Sequence, residues 1–528
     1  MLWEKVISSE ELAKKNKTIF KKGNKQIAVF KLKDQFFALD NRCPHEGYPL
    51  LQGNVNTECV LTCNWHNWKF DMKSGQCLTG GDNVRIYPLK EEDDFIWVNI
   101  AEPSIEEITN SILEGFKIGF LDRQYGRMSR ELARLYYNKI DPLTAIKKTI
   151  EWSYDKFEYG MTHAFAATAD WLQLYALNKE NPENQIICLT EAVDHISFDS
   201  LRFPTFPFKQ DIETWSENDF LEAIENENHD KAIALVLGAL SENRHFSDLE
   251  NALVKAALMH YNDFGHSLIY VYKSATLIEF LGNEVEKPLI LSLVRSLCYT
   301  TRDDLLPEFK EYPTYLAQVK ITKQNLADEY PDSLEIFGKS VNFTMNWVVD
   351  KLKIYWPENI YQTLLEVNAR NLLHYDINYQ YAYNNPVNDN VGWLDFTHAI
   401  TFANAIRKMC EKYPDLWQAG LLQLACFSGR NQKYLKEINE SEWIVNDEKI
   451  FWQETIDKLY DHGIAGPIFS AHLIKTSFAI KEESEVANQS CKKYLLASLN
   501  RFINSPIKAK HVRRTIKQGM ELVARDFV

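Results

Sequence analysis

The distribution of apolar and polar residues changes near residue 103. Before that point, short apolar runs are separated by turn residues such as Lys73-Ser74-Gly75 and Thr79-Gly80-Gly81. This pattern is typical of β-strands joined by tight turns. It predicts strands at residues 27–32, 35–40, 67–71 and 95–98.

After residue 103, apolar residues recur at steps of three and four, which is typical of α-helices. The clearest predicted helices span residues 105–116, 143–157, 163–177, 230–240, 249–261, 266–281 and 467–480. Because a hydrophobic core rarely grows beyond about 250–300 residues, a chain of 528 residues is expected to form several domains. We therefore expect a multidomain protein: a small all-β domain at residues 1–103, then a large, mostly α-helical domain at residues 104–528, as one body or two halves.

The composition of the chain indicates which classes of partner and which cellular compartment to expect. The net charge of −14 argues against binding to nucleic acid or to an anionic membrane. The sequence has no apolar run near the length of a membrane-spanning helix, so no membrane insertion is expected, and its first residues lack the apolar core of a secretory signal. Nine cysteines scattered singly along the chain indicate a reducing, cytoplasmic location.

Two short motifs carry the clearest chemistry. Cys43-Pro44-His45 is followed, after seventeen residues, by Cys63-Asn64-Trp65-His66. Two thiolates suit one iron of a [2Fe–2S] centre and two neutral imidazoles suit the other. Each motif must form a tight turn; we expect Pro44 and Gly47 to supply it in the first arm and Asn64 in the second. The alternative is a zinc site, but zinc ligands usually pair Cys with Cys and His with His along the chain.

The segments CPHEGYPL and CNWHNWKFD resemble the two cluster-binding loops of Rieske [2Fe–2S] proteins, and DMKSGQC and VRIYPLKEEDDFIWV resemble the strands that follow. The resemblance covers residues 1–103. It implies a [2Fe–2S] cluster held by Cys43, His45, Cys63 and His66, and hence a role in one-electron transfer.

The differences from the respiratory and photosynthetic members of that family concern the cluster's surroundings. Those proteins carry a disulfide between the loops, where this chain has Tyr48 and Trp65. They also use a Ser and a Tyr to hydrogen-bond the cluster sulfurs, where this chain has Trp68 and Phe70. Because fewer hydrogen bonds to the cluster lower its reduction potential, we expect the low-potential subtype found in ferredoxins and oxygenases.

Histidines in the helical part are candidates for a second site: His163, His260, His266 and His398. Asp263 and Asp395 each precede a histidine by three residues, which on a helix places both side chains on one face. Carboxylate–histidine pairs from different helices can hold iron inside a bundle. The alternative is structural, with both Asp residues acting as helix caps and the histidines buried in the core.

A faint internal repetition surrounds several of these histidines. Asp263-Phe264-Gly265-His266-Ser267 is similar to Asp395-Phe396-Thr397-His398-Ala399, and both stand at the start of a helical stretch. Met161-Thr162-His163-Ala164 and Ser470-Ala471-His472-Leu473 are looser versions. Four matches this short arise either from a helical repeat or by chance.

The helical part also resembles questin oxidase-like proteins, helical enzymes of oxygen-dependent ring cleavage, in MTHAFAATADWLQLYAL, HYNDFGHSLIYVYKSATLIEF and DFTHAITFANAI. That resemblance implies an oxygenase whose redox helper is fused to its N-terminus. A conventional ring-hydroxylating dioxygenase is disfavoured, because its D-x2-H-x4-H motif is only half present and its catalytic domain is α/β.

Two functions stay open from the sequence. The first is an oxygenase-like oxidoreductase in which the cluster feeds electrons to an additional non-haem iron in the helical domain, with a small-molecule substrate. The second is a Rieske ferredoxin-type carrier with a non-catalytic helical scaffold. No nucleotide-binding motif is present, so either function requires a separate reductase or ferredoxin as electron donor.

Overall fold

The computed structural model describes residues 2–201, 204–319 and 326–525. The chain divides into two compact units, Met1–Ala145 and Ile146–Val528. The first contains the β-strands and the second the long run of helices, which confirms the predicted order of a small β domain followed by a large helical region.

The strands of the first unit form three small antiparallel sheets. The first sheet has the order β1-β10-β9, the second β2-β3-β4 and the third β5-β6-β7-β8. The strands are β1 Trp3–Ser8, β2 Lys17–Lys22, β3 Lys25–Leu32, β4 Gln35–Asp40, β5 Asn54–Val55, β6 Val60–Thr62, β7 Lys69–Asp71, β8 Cys77–Thr79, β9 Leu89–Glu92 and β10 Phe95–Asn99. The four predicted strands are all present, with β4 at its predicted bounds.

Side-chain alternation explains how these strands form a core. In β10, Ile96 and Val98 are buried while their neighbours are partly exposed, as expected for a strand with one covered face. In β3, residues 27–30 are buried on both faces, because the strand lies between two hydrophobic clusters. The cluster on one side includes Cys43, Cys63 and Leu50, so the core itself anchors the two Cys/His loops.

Helices also belong to the first unit, which sequence reasoning treated as all-β. Helix α1 (Ser9–Lys15) begins after the Ser8 cap, whose hydroxyl accepts a hydrogen bond from the Glu11 N–H. Helices α2 (Ile105–Leu121) and α3 (Tyr125–Tyr137) follow the last strand and pack against each other. The compact unit therefore extends beyond residue 103, where the pattern of apolar and polar residues changes.

A buried carboxylate ties α3 to the β domain. Asp82 is almost fully buried and accepts hydrogen bonds from Arg130 at 2.7 Å and Arg134 at 2.9 Å. Burial alone would raise the pKa of Asp82, but these two guanidinium groups bring it below its usual value. Breaking such a pair leaves an uncompensated buried charge, which costs about 3–5 kcal/mol.

The second unit is built from helices. Helix α4 (Leu143–Ser153) spans the boundary between the units, and the others are α5 His163–Leu177, α6 Pro182–Ser200, α7 Glu217–Glu225, α8 His229–Ser241, α9 Phe246–Leu258, α10 His266–Leu281, α11 Glu286–Cys298, α12 Tyr312–Gln318, α13 Val341–Lys351, α14 Pro357–His374, α15 Trp393–Lys412, α16 Trp417–Asn431, α17 Glu448–Tyr460, α18 Pro467–Val486, α19 Gln489–Asn504 and α20 Val512–Ala524. Helices α5 and α10 have the predicted bounds, and α18 begins at Pro467 as predicted.

Four of these helices form the centre of the unit. Helix α5 packs against α10 and α18, and α15 packs against the same two helices. Burial around nearly the whole circumference is typical of a helix enclosed by others, and in α5 every residue from Ala164 to Leu172 is buried. These four helices position the histidines described below.

Candidate metal centres

Two loops of the β domain carry the Cys/His motifs, and their backbones follow the same hydrogen-bond pattern. In the first loop, the Cys43 N–H donates to the Tyr48 carbonyl at 2.9 Å and the Gly47 N–H donates to the Cys43 carbonyl at 2.8 Å. In the second, twenty residues later, the Cys63 N–H donates to the Trp68 carbonyl at 2.7 Å and the Asn67 N–H to the Cys63 carbonyl at 3.0 Å. Each motif therefore forms one closed turn.

Each turn needs one residue in the left-handed conformation. Gly47 has φ +79° in the first loop, and Asn67 has φ +60° in the second. Asn64 lies in the second turn, as predicted, but the left-handed residue that closes this turn is Asn67. The Asn64 side-chain amide donates to the Gln52 carbonyl at 2.8 Å, which links the second loop to the end of the first.

The donor atoms of the two loops converge. The Cys43 and Cys63 thiols are buried and adjacent. Burial, with the Cys63 thiol as a further cause, raises the pKa of Cys43 to about 11. The His45 and His66 rings lie 4.7 Å apart between centroids. Their Nε2 atoms each lie 3.9 Å from the Glu46 carboxylate, and the side chains are 27% and 40% exposed.

These residues fit a [2Fe–2S] cluster. The fit rests on the donor set, two thiols and two imidazoles, and on an orphaned buried atom: His45 Nδ1 has no hydrogen-bond partner among the described residues. A buried ring nitrogen without a partner is a natural ligand atom, whereas Nε2 faces the exposed carboxylate of Glu46. Cys43, His45, Cys63 and His66 are therefore the residues that would hold the cluster.

Aromatic side chains surround the loops. The Tyr48 and Trp65 rings are in contact, with centroids 5.9 Å apart, at the two positions where disulfide-bearing relatives would have cysteines. Trp68 stacks on His45 at 4.6 Å, and Phe70 is fully buried behind it. The Trp68 and Phe70 side chains thus pack beside the centre without offering it a hydroxyl.

A second cluster of histidines lies inside the helical unit. His163 is the first residue of α5, after the Thr162 cap, and His266 is the first residue of α10. His398 and His472 lie in the second turns of α15 and α18. His398 and His472 are buried, His266 is 9% exposed, and His163 is partly buried.

The four rings face one another through their Nε2 atoms. His163 Nε2 lies 2.9 Å from His266 Nε2, and His398 Nε2 lies 3.1 Å from His472 Nε2. Ligand atoms of His163, His398 and His472 all lie within 4.8 Å of one another. Imidazole nitrogens from three helices thus converge, and the His266 nitrogen, from a fourth helix, lies beside that of His163.

Backbone hydrogen bonds fix the tautomers of two of these histidines. His398 Nδ1 lies 2.6 Å from the Leu394 carbonyl, and His472 Nδ1 lies 2.6 Å from the Ile468 carbonyl. A carbonyl only accepts, so Nδ1 carries the proton in both neutral rings and both Nε2 atoms present lone pairs. Two lone pairs facing each other at 3.1 Å repel unless a cation lies between them.

Electrostatics favour the neutral rings that metal binding needs. Burial lowers the pKa of His163, His398 and His472 well below the usual value, and the neighbouring histidines and Lys475 lower it further. Lys475 lies one turn after His472, is buried, and its Nζ has no hydrogen-bond partner among the described residues. Burial lowers the pKa of Lys475 to about 8.

A turn with a strained backbone directly precedes His266 and positions it. Asp263, Phe264 and Gly265 have φ values of +40°, +51° and +75°, which are costly for the two non-glycine residues. Asp303 Oδ2 accepts the Phe264 N–H at 3.0 Å and holds this turn in place. Asp263 Oδ1 lies 3.4 Å from His266 Nδ1, on the side of the ring away from the cluster of Nε2 atoms. Such outer carboxylates orient metal-binding histidines.

Of the predicted helical site residues, the structure brings together His163, His266 and His398 but not His260. His260 Nε2 lies 2.6 Å from Glu225, and its Nδ1 lies 3.1 Å from Asp304, in an ion-pair network with Arg302. Asp395 does not join the site either: it accepts the Gly392 N–H in a capping box and pairs with Arg430. The structural interpretation therefore holds for Asp395, while Asp263 contacts His266.

The fourth member, His472, was absent from the predicted set. The repetition in the sequence did contain it, because each of the four echoed segments contains one of the four histidines. That repetition is therefore the sequence signal that identifies the complete set.

Helix length and apolarity also bear on membrane association. Among the residues that the structure describes, no helix combines the length and apolarity needed to span a bilayer.

Comparison with known proteins identifies the family of the β domain, which carries the two Cys/His loops. A family model described as the Rieske [2Fe–2S] domain matches residues 2–88. The anthranilate 1,2-dioxygenase ferredoxin subunit of Burkholderia cepacia is 35% identical over 81 residues, 15% of this chain and 74% of that protein. The 3-phenylpropionate/cinnamic acid dioxygenase ferredoxin subunit of Photorhabdus laumondii is 30% identical, covering 14% of this chain and 74% of its own length.

The ferredoxin component of the alkene monooxygenase system of Xanthobacter autotrophicus is 29% identical over 90 residues, 17% of this chain and 73% of that protein. These matches agree with the loop geometry and with the donor set of Cys43, His45, Cys63 and His66. By virtue of its N-terminal domain, this chain belongs to the Rieske [2Fe–2S] family.

Proposed function

We propose that this chain is an oxidoreductase in which a low-potential Rieske cluster supplies electrons to an iron ion held by His163, His266, His398 and His472. Such an iron, when bound, would supply O2 activation for the oxidation of a small organic molecule, as in a monooxygenase. The residues of the chain hold and orient the metal, and the buried surroundings of the four rings keep bulk water away from it.

One observation carries this proposal: the facing Nε2 lone pairs of His398 and His472, 3.1 Å apart with their Nδ1 protons committed to backbone carbonyls. A purely structural pair would place a donor opposite an acceptor. Neutral imidazole is the commonest protein ligand of transition metals. Burial keeps these rings neutral, as a metal site requires.

Iron is proposed because of what the other centre does. Imidazole ligands suit zinc, copper, nickel and iron alike, so the ligands alone do not select the metal. A Rieske domain in the same chain supplies electrons, which a metal without redox chemistry would not use. A redox-active ion at the histidine site could accept the electrons that the Rieske cluster supplies. Iron is such an ion, and the cluster already requires it.

The proposed donor is a separate reductase or ferredoxin. The relatives are named as ferredoxin components of oxygenase systems, which work by passing electrons between proteins. The partly exposed rings of His45 and His66 offer the docking point. We propose a cytoplasmic location, because none of the nine cysteines forms a disulfide and unpaired cysteines persist in reducing compartments.

The competing function is electron carriage alone, with the helical unit as a scaffold. The names of the relatives favour it, since they are ferredoxin subunits. Metal content separates the two functions. If the chain is only a carrier, its iron will match its acid-labile sulfide, because a [2Fe–2S] cluster holds equal numbers of both.

The test uses the full-length chain produced with ample iron and sulfide. We expect about one iron per chain in excess of the cluster iron and, after removal of dithionite, more O2 consumed than reoxidation of the cluster accounts for. His472→Ala should lose that excess iron and the additional O2 consumption while keeping the reduced-cluster paramagnetic signal. The matched control is His260→Ala, which should keep both. Iron equal to sulfide in the parent chain, or excess iron retained in His472→Ala, would show that the four histidines hold no iron.

A further inference from the structure

The C-terminal segment differs in charge from the rest of the chain. From Ser505 to the last residue the sequence contains two acidic residues, Glu521 and Asp526, against six basic ones: Lys508, Lys510, Arg513, Arg514, Lys517 and Arg525. The chain as a whole carries a net charge of −14. A local excess of positive charge in an acidic protein points to a local anionic partner.

The structure gathers part of this charge around a cavity. A cavity of about 310 Å³ lies between the start of α20 and the segment that precedes α15. That volume falls within the range of small-molecule sites. Its lining consists of Tyr381, Ala382, Tyr383, Lys508, His511, Arg513 and Arg514.

Hydrogen bonds to uncharged groups hold the cavity wall in place, so they do not neutralise the basic side chains. Arg514 is buried, and its guanidinium donates to the carbonyl of Ala382 at 2.7 Å and to that of Tyr379. The Lys508 N–H donates to the Gln380 side chain at 3.2 Å. Both contacts fix the backbone of the C-terminal segment against residues 379–382, so the cavity is formed before any ligand binds.

None of the four basic side chains around the cavity pairs with a carboxylate among the described residues. Burial lowers the pKa of His511, and the charges of Arg514 and Lys508 lower it further, which is the mark of mutual repulsion. The Arg513 guanidinium lies over an aromatic ring, 5.1 Å from the centre of Tyr383. Lys508, Arg513 and Arg514 are therefore clustered cations without a counter-charge among the described residues, which is unfavourable unless an anion completes them.

We propose that this cavity binds the phosphate group of a phosphate ester. A phosphate carries more charge and more acceptor oxygens than a carboxylate, and Lys and Arg side chains are its usual protein partners. The adjoining face of α20 exposes Val512, Ile516 and Met520, and Arg513 lines both the cavity and this face. The rest of the ester is therefore apolar.

Such an ester has two sources: a soluble molecule or the headgroup of an anionic phospholipid in a bilayer. An amphipathic helix with an apolar face and flanking basic residues is typical of binding to a lipid surface. The same cavity would also accept a free ester. The experiment has one arm for each source.

The first arm measures binding of inorganic pyrophosphate to the full-length protein by calorimetry. We expect saturable binding that Lys508→Gln and Arg513→Gln each weaken about tenfold or more, because each removes a charge-assisted hydrogen bond. The matched control is Lys510→Gln, since Lys510 is exposed, lies two residues from Lys508 and does not line the cavity. Unchanged absorption of the cluster and unchanged helical circular dichroism verify that each variant is folded.

The second arm measures sedimentation with neutral phosphatidylcholine vesicles and with the same vesicles containing phosphatidylglycerol. Sedimentation that requires the anionic lipid and is lost in the Lys508→Gln/Arg513→Gln double variant identifies the headgroup as the source. Pyrophosphate binding without vesicle binding identifies a soluble ester. Absence of both, or binding that the double variant retains in full, overturns the proposal.

Discussion

The two histidine-containing centres of this protein are built in opposite ways. The Rieske loops present His45 and His66 at the surface, 27% and 40% exposed, on turns that close within six residues. The helical centre takes its histidines from four helices, and three of the four are at most 9% exposed. A centre that exchanges electrons with partners must reach the surface, whereas one that would handle O2 gains from exclusion of water.

The two centres also differ in how far apart along the chain their residues lie. A Rieske loop is completed by one turn, one left-handed residue and the core residues beneath it. The helical centre depends on packing among α5, α10, α15 and α18, which brings together residues far apart in the chain. Damage to one centre should therefore leave the other intact.

The largest expected effect tests this independence. Cys63→Ser removes a cluster ligand, so we expect loss of acid-labile sulfide and of the reduced-cluster paramagnetic signal, with the excess iron of the helical unit retained. His398→Ala should give the reverse result. Metal and sulfide analysis together with low-temperature paramagnetic resonance measure both.

Cys77→Ser is the control for the first variant, because Cys77 lies in the same domain but outside both loops. Loss of both centres in either single variant would show that they are coupled.

Much of the first centre could be predicted from the sequence, because its four ligands lie in two short motifs. The sequence did not distinguish Asn64 from Asn67. Both residues are compatible with a turn, and only the backbone geometry shows that Asn67 is the one with positive φ. The helical centre was predicted less completely. Helical periodicity identifies buried faces, but it does not say which faces meet, so the predicted set contains His260 and lacks His472.

A smaller effect is expected at the turn that carries His266. Burial raises the pKa of Asp303 from 3.8 to about 6, so the folded state is penalised as pH rises through this interval. Asp303→Asn keeps an acceptor for the Phe264 N–H and removes the buried charge. It should stabilise the protein by about 1–3 kcal/mol at pH 7.5 and by less at pH 5.

Thermal unfolding at the two pH values measures this difference. The neighbouring Asp304 provides a control of opposite sign, because His260 and Arg302 outweigh burial and lower the pKa of Asp304 to about 2. Asp304→Asn should therefore destabilise the protein at pH 7.5. Equal shifts for both variants would contradict the assignment of Asp303 as a carboxylate whose burial outweighs its hydrogen bond.

The smallest effect is expected at the surface of the Rieske domain. Trp65→Ala removes ring contacts with Tyr48 and His66, at centroid distances of 5.9 Å and 5.0 Å. Aromatic pairs contribute about 0.5–1.5 kcal/mol beyond their buried area, so the cluster's visible absorption should be lost at a slightly lower temperature. Trp356→Ala in the helical unit should leave that temperature unchanged, and an equal effect of both variants would exclude a local role for the Tyr48–Trp65 contact.

The spacing of the four converging histidines along the chain has a consequence for assembly. Since His163 stands near the start of the helical unit and His472 near its end, an ion bound to all four would act as a cross-link that closes most of the unit into one loop. Its binding free energy would add to the stability of the whole unit rather than of one helix. Chelators should then lower the cooperative melting transition of the helices, and truncation before α18 should abolish loading altogether.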